Sequence, residues 1–77
     1  MYIVISKENC PMCHKAKALL ETADKEYAEY KIGETITREE ALEMVPNARS
    51  VPQIFDGKFH VGGYEELVLY LGADYVN

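Results

Sequence analysis

Tyr2-Ile3-Val4-Ile5-Ser6-Lys7-Glu8-Asn9-Cys10-Pro11-Met12-Cys13 runs from an apolar strand into two cysteines spaced i, i+3. A strand, then Cys-x-x-Cys, then a helix is the layout of a redox motif rather than of a structural crosslink. Two thiols at this spacing close a small disulfide ring and reopen it by thiol–disulfide exchange. Pro11 suits the first helical position, where its missing N–H would be unpaired anyway. Cys10 then falls at the helix cap, facing the free N–H groups of the first turn. Those groups and the helix dipole favour negative charge. A thiolate at Cys10 is thereby stabilised, with a pKa below the free-thiol value of about 8.5. Cys13 lies one turn on, on the same face and closer to the body of the protein. Cys10 reads as the attacking thiol and Cys13 as the resolving thiol. Lys7, Lys15 and Lys17 add positive charge nearby.

On the residues alone, two other uses of the pair stay open. Cys10 and Cys13 are half of a zinc site if His14 and His60 complete it, although there is no second cysteine pair and no closely spaced histidine pair. A permanent disulfide is the other, and bridges of that kind are typical of secreted chains. Met1, however, leads directly into a strand, without the basic start and long apolar stretch of a signal peptide. We assign no metal ligands.

The 77 residues leave room for one domain, 1–77, with a small core. No segment approaches the roughly 18 to 20 apolar residues needed to cross a membrane. Thirteen Asp and Glu against eight Lys and Arg give a formal charge of −5, which disfavours a nucleic-acid partner.

Along the chain, Tyr2 to Ser6 predicts a strand buried on both faces. Pro11 to about Ala23 predicts a helix, with Met12, Ala16, Leu19, Leu20 and Ala23 at helical spacing. Tyr27 to Ile32 alternates as a half-buried strand does, and Gly33 ends it. Thr37-Arg38-Glu39-Glu40 is a capping box for a second helix. Ala41, Leu42 and Val45 form its inner face, and Pro46 and Asn47 stop it. Pro52 to Phe55 and Phe59 to Val61 predict a hairpin around Asp56-Gly57. Gly62-Gly63 opens a last helix with Tyr64, Leu67, Val68 and Leu71 at core spacing, and Gly72 is its expected C-cap. The order is β-α-β-α-β-β-α. The first two strands pair in parallel through a crossover helix, the last two form a hairpin, and helices cover both faces of a four-stranded mixed sheet.

Three separated motifs make the chain resemble the glutaredoxins of the thioredoxin superfamily over nearly its whole length. They are Cys10-Pro11-Met12-Cys13, Arg49-Ser50-Val51-Pro52-Gln53-Ile54-Phe55 and Gly62-Gly63-Tyr64-Glu65-Glu66-Leu67. The resemblance implies a cis peptide before Pro52, which an X–Pro bond permits at about 0.5–1 kcal/mol. That turn presents the Val51 backbone to an extended cysteinyl peptide, which pairs with it like an added strand. On residues alone, Pro52 equally starts an edge strand. Gly62 and Gly63 let the chain turn tightly, and the N–H groups of Tyr64, Glu65 and Glu66 open a helix where a carboxylate docks. By resemblance, that carboxylate is the γ-glutamyl end of glutathione. Lys7 matches the family position that holds the glycine carboxylate, with Gln53 assisting; read alone, Lys7 is equally a solvated lysine.

Three positions depart from the family pattern. Met12 replaces a common Tyr, Ser50 a common Thr, and Glu66 a common Asp. Met12 keeps an apolar surface for substrate. The implied activity is reduction of protein disulfides or glutathione mixed disulfides by a dithiol pair. Glutathione is the co-substrate, with no tightly bound cofactor. Clients such as ribonucleotide reductase, a monomeric state and a cytoplasmic location follow from the resemblance, the last being the host cytoplasm if the chain is phage-encoded. The alternatives are reduction by thioredoxin reductase, or a metal or iron–sulfur-binding module.

Overall fold

The computed structural model describes residues 1–75 and contains β1 (Tyr2–Ser6), α1 (Pro11–Thr22), β2 (Tyr27–Lys31), α2 (Arg38–Met44), β3 (Gln53–Asp56), β4 (Phe59–Gly62) and α3 (Tyr64–Tyr75). The sheet order is β2-β1-β3-β4. β1 pairs in parallel with β2 across the α1 crossover and antiparallel with β3. β1 is thus a central strand, and all of its residues but Ile3 are buried. The element order β-α-β-α-β-β-α and the four-stranded mixed sheet with helices on both faces are those the sequence predicts.

The period-2 alternation of β1 divides the core. Tyr2 and Val4 point to one face, where they pack with Ala16 and Leu20 of α1, Ile54 of β3, and Leu67 and Leu71 of α3. Ile5 points to the other, where it meets Ala41 of α2 and Val45 at the C-cap of that helix. Two helices therefore cover one face and a single short helix covers the other. Ser6 shares the α1 side and is buried. Its hydroxyl donates to Glu29 Oε2 at 2.6 Å, and Lys17 Nζ of α1 donates to the same oxygen at 2.9 Å.

Several expectations need adjustment. Leu42 and Val68, placed by spacing on inner faces, are 42% and 41% exposed. Each lies one residue from the buried pair of its helix, Ala41 and Val45 or Leu67 and Leu71, and one residue is a rotation of about 100°. Gly72 is not a C-cap, because α3 continues through it to Tyr75. The hairpin turn is shifted by one residue. Asp56 pairs with Phe59, so Gly57 and Lys58 are the loop, and Gly57 has φ 63°. Glycine at the first of two loop residues suits a type II′ turn. β4 also carries a register shift, with Ile54 opposite Gly62 but Phe55 opposite His60, which leaves Val61 as a bulge. The capping box stands as predicted. Glu40 N–H donates to Thr37 Oγ1 at 3.0 Å, and Thr37 N–H donates to Glu40 Oε1 at 2.8 Å.

Candidate active site

β1 ends at Ser6, and the chain turns through Asn9 in the left-handed region (φ 54°) to deliver Cys10. Asn is one of the few residues other than glycine that enters this region readily. Cys10 is the N-cap of α1, with extended backbone, and Pro11 is the first helical residue. The Cys13 N–H donates to Cys10 Sγ at 3.1 Å. The same N–H also donates to the Cys10 carbonyl at 3.1 Å, so the first turn of the helix shares this donor between the sulfur and the backbone. Cys10 and Cys13 are joined as a disulfide, with their Cα atoms 5.2 Å apart. Both are buried, Cys13 more deeply (2%) than Cys10 (6%). Of the three lysines expected to add positive charge, Lys17 is turned to Glu29 at 2.9 Å, so its charge is balanced.

The second motif lies against the pair. The Val51–Pro52 peptide is cis, and the Val51 carbonyl oxygen lies 3.8 Å from Cys10 Sγ. Pro52 is buried, whereas Ser50 is exposed and Val51 half-buried. Gln53, expected to assist a ligand, lines the groove on the α2 side and makes two bonds within the chain. Its Nε2 donates to the Ser50 carbonyl at 2.9 Å, and its Oε1 lies 2.8 Å from His60 Nε2. The His60 ring stacks on Phe55, centroids 4.9 Å apart. Gln53 thus braces the loop carrying Ser50 and Val51, and His60 braces Gln53. That role for His60 depends on pairing across the hairpin, and no local sequence signal carries it.

The third motif forms the wall of a cleft lined by Met12, Ser50, Val51, Pro52, Gly63, Tyr64, Glu65 and Glu66. Met12, 38% exposed, borders this cleft rather than the core its helical spacing suggested. Glu66 Oε1 accepts from the Gly63 N–H at 2.8 Å, so one donor at this helix start is taken by its own chain. A Gly-x-x-Glu signal was present for this cap, because Glu at the third helical position reaches back in a capping box. Gly62 has φ 125°, and a Cβ there would stand 2.8 Å from Glu66 Cγ, so glycine suits this position on both counts. Lys7 is exposed and lies on the other side of Ser50 and Val51, in a second groove against α2. One cleft thus gathers Met12 of the first motif, Ser50 to Pro52 of the second and Gly63 to Glu66 of the third, and Ser50 and Val51 also line the other cleft.

Among the described residues no three His, Cys, Asp or Glu side chains are grouped to hold a metal ion. No helix among them is long and apolar enough to cross a membrane.

Comparison with known proteins agrees with this geometry. A sequence profile of the glutaredoxin family matches residues 3–61. Glutaredoxin 3 of Escherichia coli (strain K12) is 36% identical over 64 residues, spanning 83% of this chain and 77% of that protein. The structure of reduced Escherichia coli glutaredoxin superposes with a TM-score of 0.80 at 28% identity, covering 99% of this chain and 98% of the other. A buckwheat glutaredoxin–glutathione complex superposes with a TM-score of 0.74 at 25% identity, covering 95% and 68%.

Proposed function

Because this chain belongs to the glutaredoxin family and is a thiol–disulfide oxidoreductase, we propose that Cys10 is its attacking thiol, Cys13 its resolving thiol and glutathione its reductant. One observation carries the assignment of roles: the Cys13 N–H aimed at Cys10 Sγ from the first turn of α1. That donor and the helix terminus favour a thiolate at Cys10 over one at Cys13.

The Cys10 thiolate attacks a sulfur of the substrate disulfide. A Cys10–substrate disulfide forms, the original S–S bond breaks, and the other half leaves as a thiolate that takes up a proton. Cys13 then attacks Cys10 Sγ after losing its own proton. This releases the second thiol and leaves the Cys10–Cys13 disulfide. Two glutathione molecules return the dithiol and leave as glutathione disulfide. Alternatively, a glutathione resolves the mixed disulfide on Cys10 directly. A potential in the range of about −200 to −230 mV suits reduction by glutathione.

Glutathione fits the flanking clefts. Its cysteinyl backbone pairs with Val51 beside cis-Pro52, with Ser50 and Met12 against it. Its γ-glutamyl carboxylate takes the N–H groups of Tyr64 and Glu65 at the start of α3, near Gly63. Its glycine carboxylate takes Lys7. Glu66 faces the α-ammonium group while still capping Gly63, and Gln53 acts by holding Ser50 rather than by touching the ligand. The buckwheat protein solved with glutathione supports this reading. Disulfide-bearing proteins, ribonucleotide reductase among them, are the clients, and the chain works as a monomer in the cytoplasm. Reduction by thioredoxin reductase is the second reading, favoured by the bond from Glu66 to Gly63, which removes a donor from the carboxylate site.

The test is turnover of a glutathione mixed disulfide coupled to glutathione reductase and NADPH, with thioredoxin reductase in parallel. We expect turnover with glutathione, none in Cys10→Ser, and a retained fraction in Cys13→Ser. Undiminished activity in Cys10→Ser would sink the assignment of roles, and turnover with thioredoxin reductase alone would remove the glutathione site.

A further inference from the structure

Arg49 to Pro52 carry the backbone against which a cysteinyl substrate is placed above, yet this segment is thinly held. Among the described residues it makes no backbone–backbone hydrogen bond. The Val51 side chain packs on the core under α2, and the Val51 carbonyl faces Cys10 Sγ at 3.8 Å. The hydrogen bond that fixes the peptide plane before Val51 comes from a side chain, Gln53 Nε2 donating to the Ser50 carbonyl at 2.9 Å.

That bond is the end of a chain whose polarity is fixed throughout. The Ser50 carbonyl only accepts, so the Gln53 amide presents its nitrogen to Ser50 and its oxygen to His60. This oxygen also only accepts, and it lies 2.8 Å from His60 Nε2, so Nε2 carries a proton. The His60 ring is set in turn by its stack on Phe55, centroids 4.9 Å apart, and Phe55 packs against the cluster of Ile5, Ala41 and Val45. His60 itself stands opposite Phe55 in the hairpin and lines neither cleft.

Peptide geometry turns this brace into aim. The Ser50–Val51 peptide is trans, so its C=O and N–H point in opposite directions within one plane. With the carbonyl drawn to Gln53, the Val51 N–H is turned away from it. Among the described residues no acceptor meets that N–H. The N–H and C=O of Val51 are the two groups that an added strand would use.

We infer that His60 is a positioning residue for the exchange. Through Gln53 it holds the Ser50 carbonyl, and so aims the Val51 N–H at the backbone of a cysteinyl substrate. The inference rests on Cys10 exchanging its disulfide beside Val51. It makes His60 matter for disulfides that have a peptide backbone next to the sulfur, and not for those that lack one.

The experiment uses the pre-reduced full chain and two symmetric, uncharged disulfides. The disulfide of N-acetylcysteine N-methylamide has an amide on each side of the cysteine; 2-hydroxyethyl disulfide has none. With either, the Cys10 thiolate attacks one sulfur, and the first thiolate leaves and takes up a proton. Cys13 then loses its proton, attacks Cys10 Sγ and releases the second thiol. The protein dithiol supplies both electrons and ends as the Cys10–Cys13 disulfide. The second-order rate is read for each substrate. His60→Phe keeps a ring for Phe55 but has no donor for Gln53. We expect it to slow reduction of the cysteinyl disulfide about threefold to tenfold and to leave 2-hydroxyethyl disulfide within about twofold. Gln53→Met, which releases the Ser50 carbonyl directly, should slow the cysteinyl disulfide by a similar factor. Adding His60→Phe to it should then cost nothing more, because the two act in series. Unchanged rates in His60→Phe overturn the inference, as does an equal loss on both disulfides. So does a Gln53→Met protein as fast as the unmodified one on the cysteinyl disulfide, or a double variant in which the two losses multiply. If the unmodified protein reduces neither disulfide, the exchange reading itself falls and takes this inference with it.

Discussion

Cys10 and Cys13 are chemically identical side chains made unequal by one turn of helix. Cys10 Sγ receives the Cys13 N–H at 3.1 Å, and Cys13 is the more deeply buried sulfur. The expected consequence is a Cys10 thiolate that forms below the free-thiol pKa of about 8.5. Ultraviolet thiolate absorbance of the reduced protein, titrated in Cys13→Ser to leave one thiol, checks it. A midpoint at the free value would remove the helix-terminus explanation. This inequality was legible in the sequence, because Pro11 marks the helix start and so fixes which cysteine is the cap. The role of Gln53 was not. Its position in the motif suggested a ligand contact but gave no sign of its bond to His60, which is met only through the register of the hairpin.

At the level of elements, β2 and α1 are tied together by polar groups rather than by apolar packing alone. Glu29 of β2 holds buried Ser6 of β1 and Lys17 of α1. Its carboxyl is held below the ordinary value of 4.5, first by the Ser6 hydroxyl and then by Lys17, with burial opposing both. A carboxylate with a lowered folded pKa contributes stability that is complete above its unfolded value. That contribution is lost as pH falls through the lowered one. Glu29→Gln should therefore cost about 1–2 kcal/mol at neutral pH, with the gap to the unmodified protein shrinking as pH falls below 4.5. Urea unfolding of both proteins across that range measures the gap, and a constant difference would deny the linkage. Sequence alternation marked Tyr27–Ile32 as half-buried, but it says nothing of which lysine a strand acid will meet. Gly72 shows the opposite failure. A local stop signal was overridden because Leu67 and Leu71 anchor α3 to the core, and the helix runs on past the glycine.

For the molecule as a whole, the two faces of the sheet are unequally loaded. The face under α1 and α3 holds most of the fully buried large side chains, including Val4, Leu20, Ile54, Leu67 and Leu71, while the α2 face is built on Ile5, Ala41 and Val45. Leu67→Ala should then cost about 2–5 kcal/mol, a large part of the stability of so small a chain. Leu42→Ala, on an exposed flank of α2, should cost less than about 1 kcal/mol. Chemical unfolding of the two variants tests the asymmetry, and equal losses would contradict the assignment of Leu42 to the surface. The parallel pair of β1 and β2 and the hairpin of β3 and β4 followed from the crossover and the turn, but that β1 rather than β2 lies against β3 did not. Which of two adjacent leucines or valines turns inward did not, since that depends on how each helix rolls on the sheet. The groove against α2 carries Lys7, Arg38 and Arg49 and no acid, whereas the cleft along α3 carries Glu65 and Glu66 and neither Lys nor Arg. Ser50 and Val51 line both, so the field changes sign across this loop: a small anion arriving beside it is drawn in from one side and turned back from the other.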